Sequence, residues 1–296
     1  MTDALGSAYE HCRQLTKVHG RTYYAGTQLL SKNQRNGVYA LYGFARMIDD
    51  IVDIEEGPDR LTHLDAIEAD LAAALADPAY RSELPEVLAV ADTAAAFSID
   101  HRYFEMFMRS MRMDLPESPL HVSRYRTMEQ LREYMYGSAG VIGLQMLPIL
   151  GTVVPISEAV EPARALGDAF QLTNFIRDLG EDLDRDRIYL PTDELAAFGV
   201  EESMLRRCRR TGQVPPELRR ALAHLIAVTR AEYRLAEPGI DHLTPASRPG
   251  IRAAFTMYRA ILDEVEANGY RVLTQRVRVP QPKRLAHVAA ALAPWR

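Results

Sequence analysis

Apolar residues recur at intervals of three and four along nearly the whole chain, and the alternating pattern of a half-buried strand is absent. Val38, Leu41, Tyr42, Ala45 and Ile48 form one stripe, Leu61, Leu64, Ile67, Leu71 and Leu75 a second, and Leu222, Leu225, Ile226, Thr229 and Tyr233 a third. On a helix such positions fall on one face. Proline and glycine punctuate the pattern at Gly57-Pro58, Asp77-Pro78, Pro116 to Pro119, Pro155, Pro191, Pro215-Pro216 and Pro245 to Pro249, where helices end or begin. The pattern predicts roughly eight to ten helices joined by short loops. No repeat, low-complexity tract or long linker divides them, so residues 1–296 read as one all-α domain.

Tyr134 to Leu150 (YMYGSAGVIGLQMLPIL) carries no charge, which predicts a helix buried all round. Its small residues Gly137, Ser138, Ala139, Gly140 and Gly143 would let another helix, or a long apolar ligand, approach the backbone closely. Glycine costs a helix about 1 kcal/mol relative to alanine, so its repetition needs a reason. Central packing and pocket lining stand equal as that reason.

Two helical segments carry the same charged device. Asp49 and Asp53 stand four residues apart, as do Asp178 and Asp182, and an arginine precedes each pair, Arg46 and Arg177. That spacing puts both carboxylates on one helix face, about 6 Å apart along the axis. In the first segment Tyr42, Arg46, Asp49 and Asp53 follow at i, i+4, i+7 and i+11 and line one stripe. An exposed acidic helix end explains this poorly. Ile48, Ile51 and Val52 surround the acids, and negative charge is unfavourable near a helix C-terminus. In the second segment Gln171, Asn174, Asp178 and Asp182 share a face that Arg177 flanks. Carboxylates with a neutral amide oxygen suit magnesium among all-oxygen ligand sets. If the two acidic faces meet across a cavity they can hold divalent cations, while the arginines grip an anion bridged by those metals. A pyrophosphorylated substrate meets both demands. The charged run from Glu181 to Arg187 is expected to be mostly a solvated helix end and loop, with no role for Asp184 or Asp186.

Composition narrows the class. Hydrophobic residues at 47% of 296 are ample for a large core, and a net charge of −5 leaves no footprint for nucleic acid. The basic clusters Arg206 to Arg210 and Arg276 to Arg278 are short enough to be solvated helix faces. Cys12 and Cys208 form no metal motif and are expected to be free thiols of a reducing cytosol. No signal peptide is visible at the start, and no apolar run approaches the length of a membrane span. A soluble, cytoplasmic protein is expected.

The stretches Tyr39 to Asp53 (YALYGFARMIDDIVD) and Gln171 to Pro191 (QLTNFIRDLGEDLDRDRIYLP) resemble the two signatures of the head-to-head trans-isoprenyl diphosphate synthases: squalene, dehydrosqualene and phytoene synthases. The likeness runs nearly end to end, through His19 to Tyr24 (HGRTYY), Tyr134 to Gly143, and Tyr258 to Asp263 (YRAILD). Ser110 to Leu115 (SMRMDL) and Gly137 to Thr152 are most similar to bacterial phytoene synthases. The resemblance implies an isoprenoid-synthase helical bundle around a central cavity. It implies that Asp49, Asp53, Asn174, Asp178 and Asp182 hold magnesium, or manganese in its place, and that these aspartates act in catalysis with Tyr42. Arg46, Arg177, Arg276 and Tyr258 match positions that contact diphosphate, as do His19 and Thr22. Tyr42 and Gln171 match positions lining the reaction centre. One departure is Gly20-Arg21-Thr22-Tyr23, where relatives often carry serines.

The activity implied is condensation of two geranylgeranyl diphosphates to phytoene through a cyclopropyl diphosphate, with release of pyrophosphate and no reductant. Ala139, Gly140 and Gly143, if on a pocket wall, would leave room for a C20 tail. The alternative is a C15 enzyme making dehydrosqualene, presqualene diphosphate or squalene from farnesyl diphosphate. Head-to-tail elongases usually pair two DDxxD motifs, unlike the longer NxxRDxxED form here, and a terpene cyclase is the other enzyme class on this fold. A scaffold with acidic helices gives no reason for one Asn, one Arg and two Asp in a single helical frame. Greasy substrates and product leave a peripheral place on a membrane surface open.

Overall fold

The computed structural model describes the chain except Met1, residues 21–23, Ala25, Gly26, Leu29, Glu56, Pro58, Leu285 and residues 287–296, and except the side chains of Thr2 and Asp3. Regular structure among the described residues is helical, apart from two isolated bridges, Arg124 with Ile188 and Thr152 with Leu243. The first half comprises α1 (Thr2–His19), α2 (Lys32–Asp53), α3 (Arg60–Ala76), α4 (Pro85–Phe97) and α5 (Arg102–Met113). Next, α6 (Met128–Met135) passes through a π-helical turn, Tyr136–Gly140, into α7 (Val141–Leu150), and α8 (Ile156–Asp184) follows. The chain continues through α9 (Thr192–Ala196), α10 (Glu202–Thr211), α11 (Pro216–Ala236), α12 (Gly239–His242) and α13 (Arg248–Ala267).

Local chemistry sets these boundaries. Ser31 and Gln34 form a capping box at the start of α2, and Thr127 and Gln130 do the same for α6. Pro85 and Pro216 open α4 and α11, where the missing N–H is not needed. The three stripes turn inward as predicted. Leu64, Ile67 and Leu71 are buried on α3, and Leu222, Leu225, Ile226 and Tyr233 on α11. One apolar core gathers α8, α11 and α13, and a second gathers α2, α3, α4, α5 and α7. Each fully buried Leu or Ile there contributes about 1.5–3 kcal/mol. The 29-residue α8 packs against the π-turn, α7, α11 and α13, so it is the spine from which the second acidic motif projects.

The uncharged segment departs from the continuous helix expected. A π-helical turn interrupts it at Tyr136–Gly140, and just before that turn the hydroxyl of Ser110 donates to Tyr134 O at 3.0 Å. Its glycines serve helix contact. A Cβ added at Gly143 would lie 2.4 Å from Ala163 O on α8, and one at Gly137 would lie 2.3 Å from Met106 O on α5. Gly167 mirrors this from the α8 side, where a Cβ would sit 2.5 Å from the carbonyl oxygen of the buried Ala139. The Cβ position of Gly143 therefore points into the contact between α7 and α8, and the carbonyl of Ala139 in the π-turn meets α8 as well. Gly143→Ala is expected to lower stability by about 1–3 kcal/mol, seen as a lower Tm. An unchanged Tm would mean that the two backbones can separate freely.

Candidate active site

The first acidic face lies at the C-terminal end of α2. Tyr42 is fixed from behind by the end of α1: a Cβ at Gly20 would stand 2.7 Å from the Tyr42 ring, so only glycine lets the two elements meet this closely. His19, the last residue of α1, is exposed beside that contact. Thr22 lies outside the described residues. Arg46 pairs with Asp50, one turn on, and its Nε is buried without a hydrogen-bond partner. Asp49 is accessible to water yet crowded by protein atoms, as a side chain on the wall of a recess is. Desolvation pushes its carboxyl up to about 7, with the charge of Asp53 adding and Arg46 opposing. Asp53 itself receives two guanidiniums, from Arg187 at 2.7 Å and from Arg185 at 3.1 Å.

The second face lies on the last turns of α8. Arg177 Nε donates to Asp178 Oδ1 at 2.8 Å, and Arg276 reaches the same oxygen at 3.2 Å while pairing with Glu181 at 3.0 Å. Gly180 makes that second approach possible. A Cβ there would lie 2.6 Å from Leu273 O, in the segment that carries Arg276. Desolvation raises the Asp182 carboxyl to about 8, and the charges of Asp178 and Asp53 push in the same direction. Asp182 thus feels acids from both motifs. On the preceding turns Asn174 donates to Gln171 Oε1 at 3.5 Å, and its own Oδ1 is buried with no hydrogen-bond partner. Tyr258 stacks on Phe170, with centroids 4.3 Å apart. Burial pushes the Tyr42 hydroxyl up to about 12, Arg46 opposing and Tyr258 adding, which brings the tyrosine of α2 and that of α13 to one site.

Four residues beyond the two motifs complete this centre. Asp114, buried at the end of α5, accepts hydrogen bonds from Tyr134 at 2.6 Å and Tyr189 at 2.8 Å. Tyr189 stacks on Phe175 at 4.3 Å and on Tyr125 at 5.9 Å. The segment bearing it is held to the loop before α6, where Ile188 N donates to Ser123 O at 3.0 Å. Arg187 joins this shelf to the first motif, since its second arm donates to Asp114 O at 2.9 Å. The charged run is therefore only partly solvated. Asp184 and Asp186 are exposed and pair with surface arginines, whereas Arg187 is 9% exposed. Arg187 is the exception in a mostly solvated tail, because a buried guanidinium with two partners looks, in sequence, like any surface charge. The phrases SMRMDL and RIYLP held the signal.

The donor set is all oxygen, and the buried, unpartnered Asn174 Oδ1 is what a cation-binding amide would present. Among the described residues no three His, Cys, Asp or Glu side chains already converge on a metal position. Asp53 and Asp178 are instead held by arginines. Acids, guanidiniums and aromatic faces around one recess are the equipment for ionising a phosphorylated carbon chain and sheltering the cation that forms.

The model of the squalene/phytoene synthase family matches residues 16–283, and the chain belongs to that family. It is a prenyltransferase. Phytoene synthase of Arthrospira platensis is 38% identical over 293 residues, which is 94% of this chain and 90% of its own length. The chloroplastic phytoene synthase 2 of Zea mays is 38% identical over 304 residues, 98% of this chain and 72% of the relative. Among solved structures, a ligand-bound dehydrosqualene synthase shares the fold with a TM-score of 0.86 at 26% identity, covering 97% of this chain and 96% of that one. Squalene synthase HpnC of Alicyclobacillus acidocaldarius gives 0.77 at 26% identity, over 90% of this chain and 99% of that one. Among the described residues no helix is long and apolar enough to cross a membrane.

Proposed function

We propose that this chain condenses two geranylgeranyl diphosphate molecules head to head into phytoene, releasing pyrophosphate, as a step of carotenoid biosynthesis. The observation that carries the reading is the 38% identity to a phytoene synthase over nearly the full length of both chains. The C15 alternative draws on the dehydrosqualene synthase likeness, which is weaker in sequence at 26%.

Asp49, Asp53, Asn174, Asp178 and Asp182 would hold magnesium. Bound there, it would offset the charge that develops on the departing diphosphate. Arg46, Arg177 and Arg276 exchange their carboxylate partners for diphosphate oxygens as substrate enters, a bidentate contact that fixes the leaving group. Tyr42 and Tyr258 present ring faces to the allylic cation, and the apolar tails of the bound substrates would keep water from trapping it. The double bond of the second chain then attacks C1 of the first, and loss of a proton closes the cyclopropyl diphosphate. A second ionisation, rearrangement and proton loss give the central double bond with no hydride donor. Product this apolar leaves most readily into a bilayer, so we place the enzyme in the cytoplasm, peripheral to a membrane.

Product analysis with competing C15 and C20 diphosphates, with and without NADPH, tests the reading. Phytoene without NADPH is the expected result. A C30 main product would reverse the chain-length assignment and leave the head-to-head chemistry standing.

A further inference from the structure

We infer that Arg187 is a positioning residue for the condensation: it holds Asp53 in the orientation in which that carboxylate meets a divalent cation. This rests on the metal-dependent reading above. The two arms of Arg187 point in different directions, one to Asp53 Oδ1 at 2.7 Å and the other to Asp114 O at 2.9 Å. Asp114 cannot yield easily. Its carboxylate is taken by Tyr134 and Tyr189, both buried in a cluster of aromatic rings. Asp53 is therefore tied, through one buried guanidinium, to a shelf built from α5, α6 and the strap after α8.

Arg185 also reaches Asp53 but does so from solvent, its side chain 46% exposed against 11% for Arg187. An exposed pair is screened and gives up side-chain entropy, so it fixes geometry poorly. A lysine at 187 would keep the charge and lose the fork, because an ammonium on a flexible stem cannot hold both partners in one plane. Position 187 also lies in the strap that continues from the second motif. Through it, the placement of a ligand in the first motif depends on the chain that leaves the second.

The test uses the full-length protein and a non-hydrolysable prenyl thiodiphosphate, titrated by calorimetry at several magnesium concentrations. Arg187→Lys should fold with a Tm near wild type, need about tenfold more magnesium for half-maximal probe binding, and lose far more kcat than apparent affinity for prenyl substrate. Arg187→Met should show the larger loss of both, and in an Asp53→Asn background it should add little to the magnesium requirement, since the carboxylate it orients is already gone. An unchanged magnesium requirement in Arg187→Lys, or effects of Arg187→Met and Asp53→Asn that simply multiply, would overturn the positioning role. Wild-type protein that binds the probe equally with and without magnesium would overturn the metal reading itself, and this inference with it.

Discussion

Asp49→Asn is expected to abolish turnover while raising the stability of the metal-free protein at pH 8. The two halves of that result have one cause. The Asp49 carboxyl is pushed up to about 7 by desolvation and by Asp53, so above that pH the fold carries a charge it would rather not hold. A carboxyl that binds its proton more tightly folded than unfolded contributes stability at low pH. That contribution is lost as pH rises from its ordinary value of about 4 through about 7. Asparagine removes the charge and keeps the shape, so Tm at pH 8 should rise relative to wild type, and the gain should vanish near pH 4. Turnover should fall at least a hundredfold, about 2.7 kcal/mol of barrier, because a ligand for the leaving group's counter-charge is gone. A variant that retained more than about a tenth of the wild-type rate would sink the assignment of this acid. Asp178→Ala should cost as much activity without the stability gain, since it removes a carboxylate that Arg177 and Arg276 both pair with.

The second large effect is mutual dependence of magnesium and diphosphate. Asp178 is occupied by two guanidiniums, and no preformed cluster of three acids exists among the described residues. Magnesium dehydrates reluctantly and prefers to share phosphate oxygens, so either partner alone should bind weakly and the pair together at least tenfold more tightly. Binding must also expel the protons held on Asp49 and Asp182, whose carboxyls sit near about 7 and about 8. Probe affinity in magnesium should accordingly rise between pH 6 and about 8.5, and the calorimetric enthalpy at pH 7 should shift with the ionisation heat of the buffer. Equal probe affinity with and without the metal would sink the idea, and a buffer-independent enthalpy would dissociate it from these two acids.

How legible this was in the sequence depended on the range of the interaction. Helix identity and the inward stripes of α2, α3 and α11 followed from periodicity, because burial along one face is a local pattern. The two acidic motifs were legible for the same reason, each lying on one helix. What could not be read were contacts made across the chain. Gly143 advertises close approach without naming its partner, and only the fold shows that Ala163 takes the space. Arg187 and Asp114 are 73 residues apart and meet through a side chain and a carbonyl, which leaves no periodic trace. Arg276 depends on Gly180 for its reach, again across a large separation.

The π-helical turn between α6 and α7 bears on how this enzyme could change over generations. Such a turn holds one residue more than an α-helical turn, so its length is tied to the register of the helix on either side. Removing one residue from Tyr136–Gly140 would let the helix run on regularly, and everything upstream would swing by about 100°. Tyr134 would then swing away from Asp114, and Gly137 from Ser110. A lineage that lost one codon here would therefore lose the hydrogen bond that Tyr134 donates to Asp114 without a single substitution, which makes that stretch far less tolerant of length change than of residue change.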